Sequence, residues 1–344
     1  MPDAFGTHFG MIETGTMRNT VSNYPFGVFH MKMRVGVSSC LLGEKVRWNG
    51  DHKQDLYVKD LLGRYFEWVP VCPEVEAGMG IPRETVQLQG DPQKPRMVGT
   101  VTGEDWTARM NRYSQKRARE LVPLNLCGYI FKNRSPSCGI ARIKVYDDAG
   151  RAAPNGRGLF AGAVMDHVPL LPIEDEGRLR DARIRENFIT RVFAFYRLNT
   201  FLGKKFTHSS LVAFHTAHKF LLLAHSRKHY DALGRLVAQA KQIAPSVLKT
   251  RYAEEFMHAL SFKSTPKKNA DVLYHMLGFF KKQLNAVEKE DVIEAIEDYR
   301  KELVPLIVPV TLIRHHVRKH GIDYLRDQVY LHPHPKELML RNHV

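Results

Sequence analysis

Residues 34–40 read Arg34-Val35-Gly36-Val37-Ser38-Ser39-Cys40, a short apolar run that stops in a polar turn carrying a cysteine. The pattern recurs twice. Trp68-Val69-Pro70-Val71 ends in Cys72-Pro73-Glu74, and Leu126-Cys127-Gly128-Tyr129-Ile130-Phe131 leads into Lys132-Asn133-Arg134-Ser135-Pro136-Ser137-Cys138-Gly139. Between these runs lie helical stretches at 55–66 and 104–121. Short apolar strands alternating with helices predict a parallel α/β sheet. Such a sheet gathers ligands at the carboxyl ends of its strands. Cys40, Cys72 and Cys138 each sit just past such an end, whereas Cys127 falls inside its strand.

Beyond residue 180 the texture changes. Phe188, Val192, Phe195 and Leu198 fall at i, i+4, i+7 and i+10, one apolar helix face. Further helices are expected at 208–224, 228–243, 246–262, 267–286 and 288–303, with breaks at Pro245, Pro266 and Pro305. The tail Tyr330-Leu331-His332-Pro333-His334-Pro335 reads as extended and suited to docking on a partner surface. The predicted fold class is therefore α/β, a Rossmann-like, mostly parallel sheet, followed by an all-α helical C-terminal domain. The expected boundaries are an appendage over 1–30, an α/β domain over 31–180 and a helical domain over 181–344. Residues 1–30 lack periodicity, and Met31 and Met33 follow them, as an extension or an over-early start codon would leave them.

Composition narrows the function classes. At roughly 150 residues per domain, 344 residues make about two domains. Hydrophobic residues are 44% and charged residues 25%, ordinary globular values that exclude wholesale disorder, collagen and coiled-coil rods. No apolar run approaches the ~18–20 residues that span a bilayer, and no secretory signal opens the chain, so a soluble cytoplasmic protein is expected, with no membrane partner. Four cysteines in a reducing compartment are more plausibly buried thiols or metal ligands than disulfides. A net charge of +15 suggests a polyanionic partner, or else only a generally basic surface.

Thiolates are soft ligands suited to iron–sulfur clusters, Zn or Cu(I). Three thiolates around a cubane leave one iron open, which is what a Lewis-acid catalyst needs. The alternative is three small core residues in a protein that uses none of them. Glu74 and Ser135 lie close enough in sequence to Cys72 and Cys138 to face the same pocket, as general acid or base and as a hydroxyl that orients water. Arg47, Trp48 and Asn49, after the first cysteine, offer a flat aromatic surface with polar arms for substrate, although core packing is the commoner fate of such a tryptophan. Pro82-Arg83 resembles a positioning turn, which makes Arg83 a further substrate-binding candidate.

These motifs resemble the TudS-type thiouracil desulfidases. Cys40-Leu41-Leu42-Gly43, Val46-Arg47-Trp48-Asn49-Gly50, Cys72-Pro73-Glu74-Val75 and Ser135-Pro136-Ser137-Cys138-Gly139 occur in order between about residues 33 and 176. The resemblance implies an oxygen-sensitive 4Fe-4S cluster held by three ligands, Cys40, Cys72 and Cys138, with one open iron, and catalytic roles for Glu74 and Ser135. Ala77-Gly78-Met79-Gly80 departs from the Gly-Gly-Leu run expected there. The helical half resembles the YbgA-like domain, through Phe214-His215, His218-Lys219, Met276 to Lys282 and Glu337 to Asn342. The fusion of the two resembles the RudS-type desulfidases of 4-thiouridine in transfer RNA.

The charge count points the same way. Between residues 201 and 250 there are eight Lys or Arg and one acid. Lys204, Lys205, Lys219, Arg227 and Lys228 are the candidate phosphate contacts, against the alternative of a solvated helix face. The expected partner is transfer RNA containing 4-thiouridine, with no DNA. Two other functions stay open: desulfurisation of free thiouracil or thionucleobases, and a non-catalytic iron–sulfur or zinc RNA-binding sensor. The pairs His215/His218 and His225/His229 have helical metal-ligand spacing but no evident third ligand.

Overall fold

Eight strands are present among the described residues, which run from 33 to 344 in the computed structural model. They are β1 (Met33–Ser38), β2 (Phe66–Val71), β3 (Val86–Gln89), β4 (Arg96–Gly99), β5 (Gly128–Phe131), β6 (Ile143–Tyr146), β7 (Ala152–Gly156) and β8 (Ile173–Asp175). The appendage expected at 1–30 lies outside the described residues. Three helices are interleaved: α1 (Pro73–Glu76), α2 (Thr107–Leu121) and α3 (Leu159–His167). The helix expected at 55–66 is a π-helical turn over Tyr57–Leu61 followed by a 3-10 turn over Leu62–Arg64.

The first sheet is wholly parallel, in the order β2-β1-β5-β8. The interior strand β1 buries Met33, Val35 and Val37 on one face, and on the other Gly36 lies against the Tyr129 ring, so the strand is covered on both sides beyond the exposed Arg34. Pro70 is tolerated in β2 because that strand is an edge, where a missing N–H costs no ladder bond. The chain leaves β1 for β2 on one side and returns to pair β5 on the other, which makes the β1/β5 junction a topological switch point. Ser38 pairs with Val71 and Val37 with Ile130, so the turns after β1, β2 and β5 leave the same edge side by side. Cys127 lies one residue before β5, not within it. Its N–H still donates to the Arg34 carbonyl at 2.8 Å, and burial pushes its thiol up to about 12.

A second sheet, which the sequence patterns do not predict, follows a different plan. Its strands β3 and β6 are parallel, with β4 and β7 antiparallel at the edges. These strands are four or five residues long, and β3 and β6 are distant in sequence.

From Ala182 onward the described chain is helical: α4 (Ala182–Leu202), α5 (His208–His225), α6 (Arg227–Ala238), α7 (Pro245–Ser261), α8 (Pro266–Leu277), α9 (Ala286–Arg300), α10 (Ile307–His320) and α11 (Asp323–Arg326). Pro245 and Pro266 occupy the first helical position, where a missing N–H costs nothing. Asp181, Thr207, Thr265 and Asn285 cap helices with their side chains. Helix α4 lies against the parallel sheet: Phe193 packs on Phe66 with ring centroids 6.1 Å apart, and a Cβ on Gly128 would come within 2.7 Å of Val192. One apolar cluster runs without a break from Val71, Tyr129 and Phe131 into Phe195, Phe220 and Phe256.

The tail does not reach outward. Tyr330 is fully buried, its hydroxyl donates to Asn269 at 3.0 Å, and Arg197 donates to the Pro333 carbonyl at 2.9 Å. Beneath it the buried Glu186 carboxylate lies 3.6 Å from Arg341 and 3.9 Å from His334. The expected partner-docking segment is therefore spent within the chain.

Candidate active site

A cavity of about 930 Å³ opens where β1, β2 and β5 end, and Cys40, Cys72 and Cys138 all line it. Cys40 sits in a 3-10 turn over Ser39–Leu42, closed by Gly43 at φ +97, a conformation that costs glycine little. Cys72 precedes α1, and the N–H groups of Glu74 and Val75 point back at its sulfur. Cys138 is fixed by the loop after β5. There the Ser135 hydroxyl accepts the N–H of Cys138 at 3.1 Å and of Ser137 at 3.3 Å. A Cβ on Gly158 would come within 2.6 Å of the Ser137 carbonyl, so only glycine lets α3 approach this loop.

Burial pushes all three thiols up. Cys40 reaches about 12, raised also by Cys72; Cys138 is raised also by Glu74, Cys72 and Cys40. Cys72 is raised by burial, against the pull of the Val75 N–H. Thiols that repel one another as thiolates ionise together only where a cation compensates them. A soft, multiply charged metal centre fits this donor set, so the residues present suit the cluster that the family resemblance implies.

Glu74 is held from two sides. Arg83 donates to Oε2 through Nη2 at 2.5 Å and Nε at 3.0 Å, and it also donates to the Val46 and Gly80 carbonyls. Ser137 donates to Oε1 at 2.7 Å, and Ser135 reaches the same oxygen at 3.4 Å. The two hydroxyls lie 2.9 Å apart. The Arg83 side chain is 6% exposed and Glu74 is 16% exposed, so this ion pair is screened far less than a surface one.

Of the substrate-binding candidates, Arg47 and Trp48 line the cavity. Trp48 is 44% exposed, so the core-packing alternative is overturned and the indole face is available at the mouth. Arg83 lines the cavity too, but its guanidinium is committed to Glu74, which makes it a positioning residue. Asn49 does not line the cavity; its side-chain oxygen accepts the Asp51 N–H at 3.3 Å.

In the sequence Ser137 reads only as a turn residue, and Lys132 does not stand out. Lys132 lines the cavity and is pinned to Glu176 at 2.5 Å, while Glu176 also accepts the Asn133 N–H at 2.8 Å. Lys53, Arg134, Arg142 and Lys144 complete a lining in which Glu74 is the sole carboxylate among the described residues.

The basic candidates of the helical half lie apart from this lining. Lys204, Lys205, Arg227 and Lys228 are exposed, and Lys219 is half-buried with Nζ 5.4 Å from the centre of the Phe220 ring. The suspected histidine pairs are engaged elsewhere. His215 bonds Tyr252, His218 the Phe214 carbonyl, His225 the Phe262 carbonyl and His229 Glu255.

Comparison with known proteins gives two adjacent matches. A 2-thiouracil desulfurase family model matches residues 35–176, and a "Protein of unknown function (DUF1722)" model matches residues 219–335. The chain is 27% identical over 161 residues to the uncharacterized protein YbgA of Escherichia coli (strain K12), covering 46% of this chain and 95% of that one. It is 32% identical over 108 residues to the uncharacterized protein YbbK of Bacillus subtilis (strain 168), covering 30% of this chain and 71% of that one. A solved structure described as a [4Fe-4S]-dependent thiouracil desulfidase, TudS, aligns with a TM-score of 0.36 and 27% identity, over 43% of this chain and 94% of that one. The family match spans all three cysteine turns, Glu74 and the paired serines, and with the likeness to YbbK it shows that the chain belongs, through residues 35–176, to the 2-thiouracil desulfurase family, enzymes that remove sulfur.

Proposed function

We propose that the protein hydrolyses the C–S bond of 4-thiouridine in transfer RNA, giving uridine and hydrosulfide. The observation that carries this reading is the convergence of Cys40, Cys72, Cys138 and Glu74 on one cavity. Cys40, Cys72 and Cys138 would hold the cluster, which would supply a soft Lewis acid for a thiocarbonyl sulfur.

The rest falls to the chain's own side chains. Glu74 accepts a proton from a water molecule, whose oxygen adds to the thiocarbonyl carbon. Ser135 and Ser137, hydrogen-bonded to that carboxylate, orient the water and can return a proton as sulfur departs. The balance is one C=S and one water consumed, one C=O and one hydrosulfide with its proton released. Arg83 keeps the carboxylate facing the cavity.

Two features favour a nucleotide in RNA over a free base. Arg47, Lys53, Arg134, Arg142 and Lys144 line the cavity against one carboxylate, Glu74, which is already paired with Arg83; this excess of positive charge suits phosphate, and free thiouracil carries none. The exposed indole of Trp48 at the mouth suits stacking of an extruded base. A second reading, desulfurisation of free thiouracil, is favoured by the substrate in the family's own description.

Turnover of thiolated transfer RNA and of free 4-thiouracil by one anaerobic preparation separates them. We expect kcat/KM at least a hundredfold higher on transfer RNA. Equal or higher values on the free base would overturn the RNA assignment.

A further inference from the structure

Thirteen of the 17 histidines lie beyond residue 200. Most of the buried ones are explained by their partners, as described above for His215, His218, His225 and His229. His316 and His320 are not. His316 is 6% exposed, and its Nδ1 is buried with no hydrogen-bond partner among the described residues; Nε2 of His320 is in the same condition. A buried polar nitrogen without a partner is rare in a folded protein, and two on neighbouring side chains call for a common ligand.

The two rings sit one turn apart on α10, with centroids 5.9 Å apart and planes 16° from parallel. One nitrogen from each and one carboxylate oxygen of Glu288, in the first turn of α9, lie within 4.8 Å of one another. We propose that Glu288, His316 and His320 bind a late first-row divalent transition-metal ion, Zn²⁺ foremost, which clips α9 to α10.

The donor set selects the ion. Two imidazoles and one carboxylate are a zinc-type set with a fourth position left for water, whereas Mg²⁺ and Ca²⁺ call for oxygen ligands. Zinc bonds of about 2.0–2.1 Å place tetrahedral donors roughly 3.4 Å apart, so these donors have on the order of 1 Å to close.

The surroundings are already ordered for it. The Asn285 N–H donates to Glu288 Oε2 at 3.0 Å and Lys319 Nζ to Oε1 at 2.5 Å. These bonds fix the carboxylate and leave a lone pair on each oxygen, the outer-shell support that ligating groups ordinarily have. Phe280, 1% exposed, stands edge-on to both rings with centroids 6.1 and 6.4 Å away, a dry wall that limits their rotation. Burial, with the neighbouring His315, His320 and Lys319, holds His316 below the usual histidine range against the pull of Glu288.

A second grouping, His229, Glu255 and His258, has comparable spacing. There His229 Nδ1 already bonds Glu255 at 2.8 Å and its ring stacks on Phe262 at 5.0 Å, so nothing is left wanting a ligand. It serves as the control.

The full-length protein, purified anaerobically and cleared of loose metal with nitrilotriacetate, is titrated with ZnCl₂ by calorimetry. We expect one ion per chain with at least micromolar affinity, weakened tenfold or more in His320→Gln and in Glu288→Gln and unchanged in His258→Gln. Circular dichroism checks that each variant keeps its helices. Zinc K-edge absorption on the unaltered protein gives an answer independent of any variant: a nitrogen and oxygen shell with imidazole scattering is expected. A shell dominated by sulfur, no bound zinc, or affinity lost in His258→Gln and kept in His320→Gln would each overturn the site.

Discussion

Ser137 Oγ donates to Glu74 Oε1 at 2.7 Å, closer than the 3.4 Å of Ser135, while Arg83 holds the opposite oxygen of the same carboxylate. The carboxylate is thus fixed at both ends and presented to a cavity that three cysteines share. The serines divide their work. Ser135 gathers the N–H groups of the Cys138 loop, and Ser137 makes the shorter bond to Glu74.

Arg83→Met keeps the bulk of the side chain and frees Glu74 from its clamp. Outer-shell partners of this kind are typically worth about 10–100-fold in activity. We expect kcat to fall by about that factor, with KM and iron content near the unaltered values, in steady-state assays and iron analysis. Ser137→Ala is expected to behave alike, whereas Ser135→Ala should also lower iron content, because it releases the Cys138 N–H. Unchanged kcat in both Arg83→Met and Ser137→Ala would contradict the clamp.

The loop that places Cys138 depends on an absent side chain. Gly158→Ala puts a methyl group within 2.6 Å of the Ser137 carbonyl, and the opposing atoms are backbone that cannot swing away. The variant is expected to fold, by circular dichroism, and to lose most of its iron and its activity together. Full iron occupancy would show that the close approach is unimportant to the site.

Much of this architecture is legible in the sequence. The three strand–cysteine turns show there because a buried parallel strand is a short apolar run and its end is marked by Ser, Pro or Gly. The second sheet does not show, because a strand such as Val86–Gln89 is set by its pairing with Ile143–Tyr146, far away in the chain. Ser137 is masked by its neighbour Cys138: a Ser between Pro and Cys looks like a turn until Glu74 is seen 2.7 Å away. Arg83 reads as a substrate-binding candidate for the same reason, since its partner, the Glu74 carboxylate, is nine residues away and reached only in the fold. Asn49 fits the motif and still points elsewhere, to the Asp51 N–H. The tail looks extended because its prolines exclude a helix, but nothing local reveals that Asn269, Arg197 and Glu186 wait to receive it.

That tail carries a pH signature. Burial would raise Glu186, but hydrogen bonding with His334 and the charge of Arg341 outweigh it and bring it down to about 2 from the ordinary 4.5. A carboxylate lowered on folding stabilises the fold above its unfolded value, and that stability is lost as pH falls from about 4.5 toward 2. Arg341→Met leaves this charge buried with less compensation, at a cost of about 3 kcal/mol. Acid titration by circular dichroism should show Arg341→Met unfolding at higher pH than the unaltered chain. Superimposable acid curves would remove the tail's ion pairs from the stability account.

The exposed basic residues of α6 and of the loop before α5 give a salt-dependent prediction. Changing Lys204, Lys205, Arg227 and Lys228 together to Ala should weaken binding to transfer RNA. It should also flatten the slope of log K against log salt by about 0.7–0.9 for each phosphate no longer neutralised. Turnover of a free thionucleobase should be almost untouched, since none of the four lines the cavity. Unchanged affinity would make that segment a solvated face and move the phosphate-binding role to Arg134, Arg142 and Lys144 at the cavity.

The sulfur-removing centre proposed here is built from three cysteines and one clamped carboxylate and acts on RNA. Its most direct test is anaerobic purification of the unaltered, Cys40→Ala and Glu74→Gln proteins, with iron and sulfide assays and mass spectrometry of nucleosides after incubation with bulk transfer RNA. The unaltered protein is expected to hold about four irons and four sulfides per chain, with 4-thiouridine replaced by uridine and hydrosulfide released. Cys40→Ala should lose cluster and conversion together, and Glu74→Gln should keep the cluster and lose conversion. Full conversion by iron-free Cys40→Ala, or by Glu74→Gln, would contradict it.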